Sequence, residues 1–357
     1  MIKKIPFIIV VVVLFSSCRK SVSEIPAILI DISHDSEAYL SEIAEEVDMV
    51  KLETTENSLI KEIRDVEILN DHYFIYHDVY SEVLMFDLNG QFIKKVGQIG
   101  RGPGEYIALT QIVVDNENRR LLINTRGIMI FDHNGIFVEH IKLEKGSPTS
   151  MLVRDKQLYC FHNAFEWLNS GKRESSSFLT TNNTTDWKLI DSIYFKSYTG
   201  NFIFPAFLTI SNQNIYLYSS IPVEPPETKS DVDTLYVLKN NNAIPYLTAQ
   251  VVGKGKNGGG VVNKIEMADS YGIITHTVFV KDAEARRSRA EYSQYYFNSH
   301  TTKGKNATNG FIDDFHSGKN VIITPIPNTN KFFYYTTDYS DLETVPNPIL
   351  YIGTFKK

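Results

Sequence analysis

The fold is decided by a motif that occurs twice, as Met85-Phe86-Asp87-Leu88-Asn89-Gly90-Gln91-Phe92-Ile93-Lys94-Lys95-Val96 and as Ile130-Phe131-Asp132-His133-Asn134-Gly135-Ile136-Phe137-Val138-Glu139-His140-Ile141. The copies align without a gap, 45 residues apart, and share Phe-Asp-x-Asn-Gly-x-Phe. Asn-Gly favours the positive φ angles of a tight hairpin turn, and the apolar residues beside it alternate as in half-buried strands. A hairpin at this spacing is typical of a four-stranded propeller blade.

The segments before each hairpin repeat as well, so each unit reads as strand, turn, strand, linker, strand, Asn-Gly turn, strand. We therefore predict an all-β fold, a six-bladed β-propeller of four-stranded antiparallel blades. A propeller ring closes when strands from both chain ends share one blade, and we expect the strands at residues 47–52 and 350–353 to lie in the same blade. The third to sixth units are predicted to begin near residues 151, 207, 272 and 310.

The N-terminus reads as an export signal. Lys3 and Lys4 precede a short apolar run over residues 5–15, too short to span a bilayer. The following Leu14-Phe15-Ser16-Ser17-Cys18 resembles the bacterial lipobox, which implies cleavage before Cys18 and acylation of that residue. The alternatives are an ordinary signal peptide with an incidental Cys, or an uncleaved anchor. The predicted domains are a signal peptide at 1–17, a lipidated Cys with a tether at 18–44, and the propeller at 45–357.

Charge and cysteine content argue against a nucleic-acid-binding protein and against a fold held together by disulfides. The formal net charge is −6, and loss of residues 1–17 makes it more negative by two, so a nucleic-acid partner is not expected. The only other cysteine, Cys160, would have no disulfide partner once Cys18 is acylated. Cys160 lies in a strand-like run, which favours a buried, inert thiol.

Few segments suggest anything other than strands. Residues 36–46 could form a short turn or helix after the tether, and residues 281–292 are the best helix candidate. Residues 251–262 hold five glycines and read as a mobile loop.

The most distinctive local motif is the glycine-rich run Gly97-Gln98-Ile99-Gly100-Arg101-Gly102-Pro103-Gly104-Glu105-Tyr106. One interpretation is a loop at the channel mouth that presents Arg101, Glu105 and Tyr106 to a ligand. The other is a crossover between blades, held by an Arg101–Glu105 ion pair. No Gly-Lys-Ser/Thr follows, so it is not a Walker loop.

A second candidate is Asp313-Asp314, a source of one carboxylate for a divalent cation in the channel, since neighbouring strand residues face opposite sides. The nine histidines show no metal-ligand spacing, and no Gly-x-Ser-x-Gly elbow is present. No catalytic residue and no required cofactor are predicted.

Residues 100–106, following Phe86-Asp87-x-Asn-Gly, resemble the six-bladed β-propeller lipoproteins of Bacteroidetes, which are related in architecture to NHL-repeat propellers. Asp233-Thr234-Leu235-Tyr236 and Phe311-Ile312-Asp313-Asp314 fit two further segments of that family, although Asp313 replaces its usual Asn. The resemblance implies a propeller anchored in the cell envelope, at the outer membrane, on its periplasmic face or the cell surface. It carries no established activity.

Two functions remain open from the sequence. The first is a binding module that presents the channel mouth to a glycan, a peptide or a membrane-protein partner. The second is a propeller enzyme, a metal-assisted lyase or hydrolase with its site in the channel. Fold alone does not decide between them, because function resides in the site.

Overall fold

The computed structural model describes residues 25–77, 82–171, 173–199, 205–219, 233–253, 259–281, 288–337 and 346–357. In these ranges the chain is almost entirely β-strand, with one 3-10 turn. Six four-stranded antiparallel sheets form the blades of a propeller, and one blade carries an added fifth strand. The predicted six-bladed β-propeller is therefore confirmed.

The elements follow in chain order. Before the first blade come β1 (Ala27–Asp31), η1 (Leu40–Glu42) and β2 (Ala44–Lys51). Blade one holds β3 (Ile63–Leu69), β4 (His72–His77), β5 (Glu82–Asp87) and β6 (Phe92–Val96), and the short strands β7 (Gln98–Ile99) and β8 (Glu105–Tyr106) follow. Blade two holds β9 (Gln111–Asp115), β10 (Arg120–Thr125), β11 (Gly127–Asp132) and β12 (Phe137–Ile141). Blade three holds β13 (Ser150–Arg154), β14 (Gln157–Trp167), β15 (Arg173–Asn183) and β16 (Leu189–Thr199).

Blade four holds β17 (Ala206–Ser211), β18 (Asn214–Ser219), β19 (Asp233–Lys239) and β20 (Asn242–Val252), with β1 added outside β20. Blade five holds β21 (Gly260–Ala268), β22 (Tyr271–Lys281), β23 (Ser288–Asn298) and β24 (Gly304–Ala307). The short pair β25 (Phe311–Ile312) and β26 (Asn320–Val321) follows. Blade six holds β27 (Thr324–Ile326), β28 (Lys331–Thr336), β29 (Ile349–Phe355) and β2.

The ring is closed by contacts between the innermost strands of adjacent blades. In order these are β3, β9, β13, β17, β21 and β27, and β27 returns to β3. Blade one therefore lies opposite blade four, and blade three opposite blade six. Strand β2 pairs with β29 from Ala44↔Phe355 to Lys51↔Ile349, which confirms that both chain ends contribute to one blade.

The repeated Phe-Asp-x-Asn-Gly motif has the same geometry in both copies. The Asp87 carboxylate accepts hydrogen bonds from the N–H groups of Asn89 and Gln91, each at 2.9 Å. Asp132 does the same in blade two. Only the glycine of each Asn-Gly pair has a positive φ, +84° at Gly90, so the turn is a type I turn with a bulge rather than the two-residue turn that Asn-Gly suggests.

Apolar clusters fill the spaces between adjacent blades, one cluster at each of the six interfaces. Between blades one and two, for example, Phe74, Leu121 and Met129 pack together. Burial of each such side chain stabilises the fold by roughly 1.5–3 kcal/mol. The molecule therefore has a ring of interblade cores around a channel, rather than one central core.

The structure differs from the sequence predictions at four places, and the first two concern β1 and β25. Alternating Ile28, Ile30 and Ile32 are buried, because β1 pairs in parallel with β20; this part of the predicted tether lies on blade four. Residues 311–312 form only the short strand β25, because the inner strand of blade six is β27.

The other two differences lie in blade five. Its inner strand β21 begins at Gly260, inside the predicted mobile loop, whose residues 254–258 lie outside the described ranges. The predicted helix over 281–292 is wrong at residues 288–292, which belong to β23 and pair with β22; residues 282–287 are not described. No helix in the described ranges is long and apolar enough to cross a membrane.

Candidate ligand site in the central channel

The inner strand of every blade is a sheet edge, so its outer N–H and C=O groups need partners from elsewhere. Polar side chains of neighbouring blades supply them. The Gln111 amide accepts from the N–H of Met151 at 2.8 Å and donates to the carbonyl of Met151 at 3.1 Å. Gln294 forms the same pair of bonds with Ile323, at 3.0 and 2.7 Å. The Thr209 hydroxyl accepts from Met267 N–H at 3.2 Å. These polar side chains thus hold adjacent blades together.

The channel contains a cavity of about 230 Å³. Residues from the inner strands, or the turns beside them, of all six blades line it, and its polar lining includes Arg64, Asp65, Gln111, Thr209, Lys264 and Glu266. At the end where inner strands finish, the Asn328 side chain of blade six donates to the carbonyl of Val153 in blade three at 3.3 Å. This bond joins opposite blades and narrows that end of the channel.

Charged residues enter the channel from blades one and five at equivalent places. Asp65-Val66-Glu67 lies in β3 and Lys264-Ile265-Glu266 in β21. Each stretch follows a β-bulge, at Ile63/Asp65 and at Val262/Lys264. Residues two apart in a strand share a face, and a bulge changes which face that is. The same local device therefore places two charged side chains of each blade on one strand face; Asp65, Lys264 and Glu266 line the cavity, and Glu67 is buried beside Asp65.

One of these charges is balanced within the site. Lys264 Nζ lies 2.6 Å from Glu266 Oε1 and 4.9 Å from the ring centre of Phe207. Burial raises the pKa of Glu266, and the ammonium of Lys264 opposes that rise. Arg64 forms a longer, exposed ion pair with Glu62 at 3.8 Å.

Asp65 and Glu67 are not balanced in this way. Burial raises the pKa of Asp65 to about 6; the Lys264 ammonium opposes the rise and Glu266 adds to it. Burial, and then repulsion from Asp65, raises the pKa of Glu67 well above its ordinary value. Glu67 is only 1% exposed, and within the described ranges neither of its carboxyl oxygens has a hydrogen-bond partner. A buried carboxyl without partners is costly to the fold.

The glycine-rich run at 97–106 lies elsewhere, beside the interface of blades one and two. Strands β7 and β8 pair in parallel and fold it back on itself. Tyr106 is 2% exposed; its hydroxyl accepts from Val83 N–H at 3.3 Å and donates to the Val96 carbonyl at 3.2 Å. Tyr106 therefore helps to build the interblade core.

The Glu105 carboxylate accepts from Gly102 N–H at 2.7 Å and from the side-chain amide of Gln98. These donors lower the pKa of Glu105. The expected ion pair with Arg101 is not among the contacts of Glu105 within the described residues. Arg101 itself is exposed. Ligand binding by Arg101, Glu105 and Tyr106 stays a prediction, while the structure supports a crossover held by internal hydrogen bonds.

Asp313 and Asp314 also lie away from the channel, in the turn between β25 and β26. Asp313 accepts from the N–H groups of His316 and Ser317, at 3.1 and 3.0 Å, and from the Ser317 hydroxyl at 2.8 Å. Burial opposes ionisation of Asp313, but these donors outweigh it and lower its pKa. Asp314 accepts from Ser41 N–H at 3.0 Å. Both carboxylates bind the chain itself, and a cation role for them stays a prediction.

Of the two cysteines, the structure places only one. Cys160 is a buried free thiol, and burial raises its pKa, which fits an inert residue. Cys18 lies outside the described residues. In the described ranges, no three His, Cys, Asp or Glu side chains are grouped so as to hold a metal ion.

The sequence analysis does not predict the channel charges, because residues 251–262 read as a mobile loop and the fifth unit is predicted to begin near residue 272. A usable signal was present. Asp65-Val66-Glu67 and Lys264-Ile265-Glu266 both place charged residues on either side of a β-branched residue, directly before an apolar pair and a polar turn. In the first strand of a blade, that pattern indicates charge facing the channel.

Comparison with one solved structure agrees with this architecture. A Bacteroides fragilis protein described as a candidate exported protein superposes with a TM-score of 0.59 at 14% identity, over 93% of this chain and 100% of its own. Hydrazine synthase from Kuenenia stuttgartiensis matches 82% of each chain at 12% identity, with a TM-score of 0.46. At such identities the likeness concerns the fold alone. No curated protein matches the chain.

A family model covers almost all of the propeller, from residue 25 to residue 348. The match includes β1, which the sequence placed in a tether, and all six inner strands. The chain therefore belongs to the family described as the domain of unknown function DUF4934.

Proposed function

We propose that this protein is an exported, lipid-anchored binding module whose channel cavity takes a basic side chain of a peptide ligand. The observation that carries the proposal is the Asp65 carboxyl, which lines the cavity, together with the buried Glu67 carboxyl two residues along the same strand; within the described ranges neither forms an ion pair like that of Lys264 with Glu266. Function as a binding module follows the first of the two hypotheses that the sequence left open.

The charge balance favours a cationic ligand. Lys264 forms its ion pair with Glu266, and burial still holds the pKa of Asp65 and of Glu67 above its ordinary value, so neither carboxyl is well stabilised as an anion. An ammonium or guanidinium group placed beside them would form charge-assisted hydrogen bonds, which are about twice as strong as neutral ones. It would also relieve the cost of a buried carboxyl without partners.

The size of the cavity favours one side chain over a larger group. Drug-sized ligands occupy pockets of roughly 300–1,000 Å³, and the channel cavity measures about 230 Å³. A lysine or arginine side chain that enters from the channel mouth would fill it, while the rest of the peptide would lie across the blade ends.

Anchoring is supported by the N-terminal sequence and by the likeness to a candidate exported protein. In this proposal Cys18 carries the acyl chains and holds the protein at the outer membrane. Two or more acyl chains are needed for durable anchoring. The Cys18→Ala variant should lose acyl labelling and leave the membrane fraction; retention of the variant there would contradict lipidation.

The ligand proposal is tested by calorimetric titration with short peptides that differ at one position, Lys, Arg, norleucine or Glu. The Lys and Arg peptides should bind and raise the melting temperature, since a ligand specific to the folded state stabilises it by mass action. Glu67→Gln and Asp65→Asn should lose most of that binding. Glu45→Gln, at an exposed position of β2, is the matched control and should bind like the parent. Equal binding of Lys and norleucine peptides, or unchanged binding by both channel variants, would overturn the proposal.

A further inference from the structure

The N-terminal strand β1 has an unusual outer face. Ile28, Ile30 and Ile32 point inward and are at most 7% exposed. The alternate residues point outward, and they are also apolar: Ala27 is exposed and Leu29 is 61% exposed, with Ile25 before them at 44%. Asp31 is the first charged residue of this outward row. We call Ile25, Ala27 and Leu29 the outward row.

The outward row lies on a sheet edge. Strand β1 is the outermost strand of blade four, and within the described ranges only β20 pairs with it. Exposed edge strands are normally protected by charged residues, Pro or a covering element, because an apolar edge invites association. An uncovered apolar edge therefore indicates a surface that is covered in use.

The length of the chain before β1 points to what covers it. Only residues 19–24 separate Cys18 from Ile25, and seven peptide steps reach at most about 25 Å. If Cys18 carries acyl chains, the edge of blade four cannot move far from the lipid surface. Residues 19–24 contain Arg19, Lys20 and Glu24, a net positive charge that favours an anionic lipid surface.

We propose that the propeller lies on the membrane by the β1 edge of blade four, with Ile25, Ala27 and Leu29 in contact with the lipid interface. This inference rests on the proposed acylation of Cys18. It makes the tether too short for free rotation of the propeller, and it places blade one, opposite blade four, farthest from the membrane. The channel mouth then opens along the membrane surface rather than away from it.

The test uses the full lipidated protein in phosphatidylethanolamine–phosphatidylglycerol vesicles that carry a headgroup energy acceptor. A fluorophore is attached at Leu29→Cys or, as the matched control, at Ile93→Cys in β6 of blade one, where the native side chain is 42% exposed. The two positions are on the order of 40 Å apart, given sheets of four and five strands on opposite sides of the ring. Cys160 is buried and should not take the label.

Energy transfer should be several-fold stronger from position 29 than from position 93. Equal energy transfer from the two positions would overturn the proposal, because it would mean that the propeller has no fixed orientation relative to the membrane. Transfer between labelled copies at position 29, without acceptor lipid, would also overturn it in favour of a second copy at this edge. Vesicle flotation is measured first. A protein that fails to float contradicts acylation itself, whereas a protein that floats with equal transfer contradicts only the orientation.

Discussion

Replacing Asp65 by Asn tests whether the channel carboxyls destabilise the fold when they are ionised. Asn has nearly the same shape, and its carbonyl oxygen keeps the 3.0 Å hydrogen bond from Val66 N–H. The pKa of Asp65 rises from 3.8 to about 6 on folding, so the folded state holds the proton more tightly than the unfolded state between these values. The Asp65 contribution to the free energy of unfolding therefore falls as pH rises through this window and stays low above pH 6.

Asn has no such penalty, so the variant should gain stability over the parent as pH rises. A difference of two pKa units corresponds to about 3 kcal/mol. We expect the variant to match the parent below about pH 4 and to exceed it by up to this amount above pH 7.

The assay is urea unfolding of the chain from residue 25 onward at pH 4, 6 and 8, with Glu45→Gln as an exposed control that should change little at any pH. A gain for Asp65→Asn that does not depend on pH, or a loss at pH 8, would refute the reasoning.

Three further predictions concern the interblade structure. Gln294→Leu leaves the backbone N–H and C=O of Ile323, just before β27, without their side-chain partner and should lower the free energy of unfolding by about 3 kcal/mol. Urea unfolding beside the exposed control Gln91→Leu measures this loss, and equal losses in the two variants would contradict the prediction. Gly272→Ala places a methyl group against the ring of buried Phe297 and should lower the free energy of unfolding by about 1–3 kcal/mol. Gly259→Ala, where the added methyl meets open space, should lower it far less. Similar melting temperatures of the two variants would count against the packing argument. Cys160 should react with a thiol reagent at pH 8 only when urea unfolds the chain, because burial protects the thiol and raises its pKa. Rapid labelling of the folded protein would disprove its burial.

The fold was largely predictable because its signals are local. Each Asn-Gly hairpin is specified by residues within one turn, such as Asp87 capping the N–H groups of Asn89 and Gln91. Closure of the ring followed from the leftover strands at both ends, which the β2–β29 pairing confirms. Alternating isoleucines at 28, 30 and 32 could also have revealed β1, but a strand that joins a distant blade has no partner nearby in the chain.

The sequence pattern marks each charged stretch separately, but which stretches meet in the site was not predictable, because they come from distant blades. Nothing near Asp65 in the sequence shows that Lys264 will influence it across the channel. Conversely, the glycine-rich run was predicted as a candidate ligand site because Arg101, Glu105 and Tyr106 have side chains that can bind a ligand. Their donors and acceptors are largely used within the chain, as for Tyr106 with Val83 and Val96.

The closing of blade six by β2 and β29 has a consequence for biosynthesis. Lys51 pairs with Ile349, so the early strand must wait for almost the whole chain to be made before its partner exists. Until then β2 offers an unpaired edge with buried-type residues such as Val47 and Val50, and contacts of such long sequence separation form slowly. A chain cut short before residue 349 could never complete blade six. Completion of blade six thus serves as a test of chain completeness, and truncated products would keep the open sheet edge that proteases and chaperones recognise.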